Sequence, residues 1–228
     1  MFIEEIEIGV QRKRIKRIHL HVRPDKSVYI SAPYGVSNET IEDFARTNIQ
    51  WIRDTIKKYE SVELPEQRKY ISGETIYIFG KKYDLVFIPG NGNSFYIKDK
   101  TAYLIMSPTS TANQRIEYMR KIYRGMLEEK MSELFPKWER VTGLKPKEIR
   151  TKYMKTRWGT CNYKESRVWL ALQLVQKPIQ CIEYVILHEL THLRIPNHSR
   201  EFWNEVEKYM PDWRDIKQQL NVSYRCEI

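Results

Sequence analysis

Residues 188–198 read His188-Glu189-Leu190-Thr191-His192-Leu193-Arg194-Ile195-Pro196-Asn197-His198. This stretch holds three of the five histidines in the chain. Apolar residues recur at helical spacing before and within it: Ile179, Ile182, Val185, Ile186, Leu190 and Leu193. The pattern predicts a helix that begins at Pro178, a residue suited to a first helical turn, and ends near Arg194.

The spacing of the histidines predicts a metal site. On a helix, His188 and His192 project from one face about one turn apart, so both rings can reach one zinc ion. Because Pro196 ends the helix, the chain can turn back and offer His198 as a third ligand. Glu189 lies beside such an ion without binding it and is the candidate general base towards metal-activated water. Three protein ligands and one open position are typical of catalytic rather than structural zinc.

A second segment, 157–161, reads Arg-Trp-Gly-Thr-Cys and precedes a predicted strand. Gly159 would allow a close approach of the backbone, and Arg157 is a catalytic candidate that could polarise a carbonyl or hold an anion near the metal. A solvent-facing arginine on a hairpin anchored by Trp158 is the alternative. A nucleophilic role for Cys161 is disfavoured, since a hydrolytic metal needs no Cys-His pair.

Together these segments resemble a known family. The resemblance rests on residues 157–161, the strand 169–172, the stretch 184–193, Asn197-His198-Ser199 and Phe202-Trp203, with further matches at 31–33 and 79–83. They are similar to the YgjP-like (DUF45) predicted metal-dependent hydrolases, which are grouped with zincin metallopeptidases and related to SprT-like and WLM proteins. Thr160 stands where the family often has serine. The resemblance implies a zincin-type α+β domain, zinc on His188, His192 and His198, and Glu189 as catalytic base.

Around these motifs the sequence predicts an α+β protein in two parts. Residues 1–110 are expected to be mainly β, with strands in 1–35 and 76–106, a turn at 24–27, one helix from Ser37 to near Tyr59 and a connection at 61–69. Residues 111–228 are expected to form the zincin-like domain. It should contain a helix after Thr111 that is interrupted near Pro136, a hairpin of strands 147–156 and 166–175, the HExxH helix and two terminal helices.

Charge leaves the substrate open. The 228 residues carry a net charge of +10, which favours anionic partners. Residues 141–170 account for +6, with two acidic and eight basic side chains: Lys145, Lys147, Arg150, Lys152, Lys155, Arg157, Lys164 and Arg167. Peptide hydrolysis is the leading hypothesis, with strand addition along the hairpin edge. A metal-dependent phosphohydrolase acting on nucleotides or another anionic small molecule is the alternative. The second alternative is a nucleic-acid-associated zinc protein that contacts phosphates through a basic surface such as the run 12–17.

The remaining composition bounds the compartment. Three well-separated cysteines, Cys161, Cys181 and Cys226, do not form a disulfide framework, and a reducing cytoplasm is expected. Cys181 is expected to pack in the core beneath the site. The N-terminus is acidic where a signal peptide would be basic, and no apolar stretch is long enough to cross a bilayer. The sequence therefore predicts a cytoplasmic protein without membrane contact.

Overall fold

The computed structural model describes residues 1–23, 25–60, 68–154 and 156–222. Four features discussed above fall outside these ranges: Pro24 of the predicted turn, most of the connection 61–69, Lys155 and Cys226. The chain forms two compact units, Met1–Glu66 and Gln67–Ile228. Both units combine strands with helices, which confirms the α+β class.

The first unit is a four-stranded sheet with two helices. Its elements are β1 (Phe2–Ile3), β2 (Ile6–Lys13), β3 (His19–Val22), β4 (Val28–Pro33), α1 (Asn38–Thr47) and α2 (Ile49–Glu60). The sheet order is β1-β2-β4-β3, with β2 parallel to β4. Ile8 and Ile30 of the sheet are fully buried with Ile41 and Ile52 of the helices, so these elements share one core.

The single helix expected from Ser37 to near Tyr59 is divided at Asn48. The Asn48 side chain donates to the carbonyl of Phe44 at 2.8 Å, and its backbone N–H bonds to the carbonyls of Ala45 and Arg46. An asparagine that satisfies these carbonyls locally can end a helix that the apolar pattern alone would continue. Ser37 caps the start of α1, as predicted.

Arg12 of the basic run 12–17 has structural partners. Its guanidinium donates to the carbonyl of Pro33 at 3.1 Å, to the carbonyl of Val36 and to the Asn38 side chain. Arg12 therefore ties β2 to the start of α1.

The second unit begins with a four-stranded sheet that matches the expected strands of 76–106. Its members are β5 (Thr75–Ile78), β6 (Lys81–Pro89), β7 (Ser94–Lys98) and β8 (Thr101–Met106), in the order β5-β6-β8-β7. Neighbouring strands are antiparallel except for β6 and β8, which are parallel.

A long helix, α3 (Ala112–Thr142), follows this sheet and runs without interruption through Pro136. Thr111 and Gln114 form a capping box at its start, and Gly143 ends it in the left-handed conformation. Proline at 136 removes one backbone donor, but Phe135 and Trp138 on either side are buried. Burial of these side chains offsets the missing hydrogen bond, so the predicted interruption is wrong.

The third sheet differs from the hairpin that was expected from strands 147–156 and 166–175. Its strands are β9 (Glu148–Lys152), β10 (Gly159–Asn162) and β11 (Arg167–Ala171), in the order β10-β11-β9. The antiparallel partner of β11 is β10, whereas β9 lies parallel to β11. The segment around Arg157 connects β9 to β10, and β10 lies at the edge of the sheet.

The last elements of the described structure are a 3-10 helix (Leu172–Gln176) and the helices α4 (Ile179–Thr191), α5 (Arg200–Tyr209) and α6 (Trp213–Val222). None of the helices in the described ranges combines the length and hydropathy that a bilayer crossing requires.

The division of the chain differs from the boundary expected at residue 110. Ile76, Leu85 and Leu104 of the β5–β8 sheet belong to the same buried cluster as Tyr123 of α3 and Ile186 of α4. Because these side chains share one core, the sheet is part of the second unit.

Candidate metal centre

Helix α4 brings the first two histidines together. It begins after Pro178, and its apolar side chains bury it in the core of the second unit. His188 lies in its last turn, and His192 is the C-terminal cap, still in helical conformation. The centroids of the two imidazole rings are 4.9 Å apart. The predicted arrangement of the first histidine pair is therefore present.

His198 reaches the same point from the connection between α4 and α5. Ser199 directly after it caps α5 by accepting from the N–H of Phe202. Arg194 pairs with Glu205 of α5 at 2.9 Å, which joins the end of α4 to α5. The Nε2 atom of His198 lies 2.9 Å from Nε2 of His188 and 3.2 Å from Nε2 of His192. One ring nitrogen of each histidine thus faces a common point.

Hydrogen bonding and packing orient the rings. The Nδ1–H of His192 donates to the carbonyl of Ile195 at 3.1 Å, which leaves the Nε2 lone pair available. The Nδ1 atom of His188 is buried without a hydrogen-bond partner among the described residues. Packing holds that ring instead: Phe202 contacts it edge-on at 4.9 Å, and Phe202 also contacts His192 and His198.

The three imidazoles are set up to stay neutral. Burial, together with the neighbouring histidines and Lys217, lowers the pKa of His188 to about 3. Burial also lowers the pKa of His192 and of His198, which lies near Lys217 as well. Neutral imidazole is the form that binds metal. Within the described part of the chain, these three histidines form a group able to hold a metal ion, with ligand atoms all within 4.8 Å of one another.

Glu189 lies beside the histidines and is 5% exposed. Burial raises the pKa of its carboxyl to about 8, and the positive charge of Arg157 acts in the opposite direction. Gly159 of β10 packs directly against this side chain. A β-carbon at position 159 would lie 2.6 Å from Oε1 and 2.7 Å from Cγ of Glu189. Gly159 does not have a positive φ, so its backbone conformation would accept other residues. A glycine is required at this position because a side chain would overlap Glu189.

A cavity of about 580 Å³ opens onto these groups. It brings Arg157, Gly159 and Glu189 together with the histidines, as the sequence predicted for this neighbourhood. Cys161 also lines the cavity, but burial and the charge of Glu189 raise the pKa of its thiol to about 12. A thiol with so high a pKa is a poor nucleophile. Cys181 is buried on α4, in the core position expected for it.

Helix α6 forms one side of the cavity, which the sequence did not predict. Lys217, Leu220 and Asn221 line it, as does Tyr184 of α4. The ammonium of Lys217 lies 4.6 Å from the ring centroid of Trp203 and 5.6 Å from that of Trp213. No local pattern marks Lys217, because only the packing of α6 against α4 brings it to the histidines.

Similarity to known proteins identifies the family of this chain. No curated protein matches the sequence significantly. Solved structures that are similar to part of it include two metallopeptidase zymogens. The metallopeptidase zymogen of Pyrococcus abyssi abylysin has 21% identity and a TM-score of 0.39, over 43% of this chain and 98% of that one. The metallopeptidase zymogen of Methanocaldococcus jannaschii jannalysin has 23% identity and a TM-score of 0.36, over 40% and 87%.

A family model covers far more of the sequence. The model of the YgjP-like metallopeptidase domain matches residues 16–223, a range that contains the histidines, Glu189 and the lining of the cavity. The chain is therefore a hydrolase that belongs to the YgjP-like family of metallopeptidase domains, and membership of this family implies a metal ion.

Proposed function

We propose that this protein is a zinc-dependent peptidase in which His188, His192 and His198 hold the ion and Glu189 is the general base. The convergence of the three Nε2 atoms beside the Glu189 carboxyl, at one cavity, carries the proposal. Family membership supports a metal-dependent peptidase.

The histidines fit zinc in chemistry and in spacing. Three neutral nitrogen donors suit zinc, and nitrogen ligands in a tetrahedral zinc site lie about 3.3 Å apart. The two Nε2 separations from His198, 2.9 and 3.2 Å, are close to that value, and all three ligand atoms lie within 4.8 Å of one another. When bound, zinc would supply a Lewis acid that polarises the peptide carbonyl and makes water more acidic.

Glu189 would perform the proton transfers. Its carboxylate would accept a proton from the attacking water and then deliver that proton to the amine that leaves. Its burial keeps competing solvent away, and contact with Gly159 fixes where the carboxyl sits. Arg157 lowers the pKa of the Glu189 carboxyl against the larger effect of burial, which favours the ionised form needed for a base, and it would stabilise negative charge that develops on the substrate.

The edge strand β10 would align the peptide. Gly159, Thr160 and Cys161 of β10 line the cavity, and in the described structure β10 pairs only with β11. Its second edge can therefore add an extended peptide by backbone hydrogen bonds, which is the mode expected from the sequence.

Contact of the basic surface with nucleic acid stays a prediction, and salt-dependent binding to a DNA duplex would test it.

The test separates metal binding from proton transfer. We expect Glu189→Gln to bind one zinc like the parent protein but to hydrolyse a mixed peptide library at least about 100-fold more slowly. His192→Ala should lose zinc and activity together. Glu129→Gln, an exposed site on α3, is the matched control and should change neither. Full hydrolysis by zinc-loaded Glu189→Gln would refute the mechanism, and hydrolysis of nucleoside triphosphates but not peptides would refute the substrate class.

A further inference from the structure

Two cations line the candidate active-site cavity. Arg157 lies on the side of Glu189, whose carboxyl feels its charge, and Lys217 lies on the side of His188 and His198. Both side chains are exposed at the cavity. Glu189 is the only acidic residue among those that line the cavity in the described structure, and the proposed function assigns it to proton transfer.

Lys217 is held in place without being neutralised. Its ammonium lies over the indole rings of Trp203 and Trp213, which stack on each other at 4.3 Å. A cation over an aromatic face is attracted to it but keeps its full charge and its hydrogen-bond donors. The tryptophans thus fix the position of the charge and leave it available to a ligand.

Two arginines near α5 and α6 have acidic partners. Arg214 pairs with Glu207 at 2.6 Å, and Arg194 pairs with Glu205. Within the described ranges, no carboxylate lies within ion-pair distance of Lys217 or Arg157. In the described structure, the two cations that line the cavity therefore lie outside ion-pair distance of any carboxylate, whereas Arg194 and Arg214 beside it are paired.

We propose that Lys217 is a specificity-determining residue that binds a carboxylate of the peptide next to the scissile bond. This inference rests on the proposed peptidase function and names its substrate class, peptides that are acidic at the cleavage site. Arg157 supplies the second positive charge of the cavity. A neutral peptide would leave the Lys217 ammonium without an acidic partner, whereas a carboxylate would form a charge-assisted hydrogen bond with it.

The carboxylate has two chemical sources, an Asp or Glu side chain and the free C-terminus of a peptide. Cleavage of a random peptide library by the zinc-loaded protein locates the preferred position. Two matched comparisons at that position then separate the sources: a Glu peptide against its Gln counterpart, and a free C-terminus against its amide. We expect one of these pairs to differ in kcat/KM by about two- to fivefold, the effect of one partly exposed ion pair.

Lys217→Met removes the charge but keeps a long apolar stem against the tryptophans. We expect it to bring the kcat/KM ratio of the decisive pair close to one. Both peptides of a pair are cleaved by the same variant, so any change in zinc content or in Glu189 reactivity cancels in the ratio. Lys208→Met, on the exposed side of α5 and outside the cavity lining, is the matched control and should keep the parent ratio.

The outcomes distinguish this inference from the function on which it rests. Equal cleavage of both pairs by the parent protein, or an unchanged ratio in Lys217→Met, would overturn the role of Lys217 while leaving a peptidase that depends on Glu189. Absence of cleavage of every peptide by the zinc-loaded parent protein would overturn both proposals.

Discussion

Gly159 lies so close to Glu189 that a side chain at position 159 would overlap the Glu189 carboxyl. Since a β-carbon would lie 2.6 Å from Oε1, we expect Gly159→Ala to displace the carboxyl while the strand backbone accepts alanine. A misplacement of about 1 Å in an active site costs on the order of 100-fold in rate. Peptide hydrolysis by the zinc-loaded variant should therefore fall by about that factor, with zinc content and circular dichroism unchanged.

A compensating change tests whether space is the cause. Glu189→Asp shortens the acid by one methylene, so adding it to Gly159→Ala should cost little or restore some activity, whereas Glu189→Asp alone should lower activity. Gly125→Ala, where a β-carbon on α3 meets nothing within 4 Å, should leave hydrolysis unchanged. Full activity of Gly159→Ala would show that the carboxyl position is not critical.

At the scale of elements, the turn between β5 and β6 is fixed against the start of α4. The N–H of Phe79 bonds to the carbonyl of Val175 at 2.7 Å, and a β-carbon on Gly80 would lie 2.9 Å from Cγ of Pro178. Gly80 also has a φ of 80°. We expect Gly80→Ala to lower the free energy of unfolding by about 2–3 kcal/mol, from left-handed strain and overpacking together.

Gly143→Ala is the matched control for this strain. Gly143 has a φ of 70° but nothing within 4 Å of a β-carbon, so only backbone strain of about 1 kcal/mol is expected. Urea unfolding of both variants measures the difference. Equal losses would mean that the contact between Gly80 and Pro178 contributes nothing.

Local patterns predicted single elements better than their pairing. The spacing of His188, His192 and His198 was sufficient to predict helix α4 and the convergence of three rings, because both follow from one short segment. The parallel pairing of β9 with β11 depends on contacts distant in sequence, so the expected hairpin was wrong. Lys217 was missed for the same reason: only the packing of α6 brings it to the cavity.

At the scale of the whole molecule, the second unit contains a core and the complete candidate site. We expect residues 67–228 alone to fold cooperatively and bind one zinc, because the large buried cluster of the described structure begins at Tyr70 and lies within this unit. A fragment of residues 111–228 should fail to fold, since it lacks Ile76, Leu85 and Leu104 of the shared core. Circular dichroism and thermal unfolding of both fragments test this, and a folded 111–228 fragment would support the boundary at residue 110.

His188 lies in α4 and His192 caps its end, whereas His198 lies directly before Ser199, the N-cap of α5. A bound ion would thus act as a crosslink that closes a loop of about ten residues, and a crosslink reduces the conformational entropy of the open chain. Opening of α5 and release of the ion would then be one coupled equilibrium, so metal starvation would first loosen Arg200–Tyr209 and leave the buried sheet β5–β8 intact.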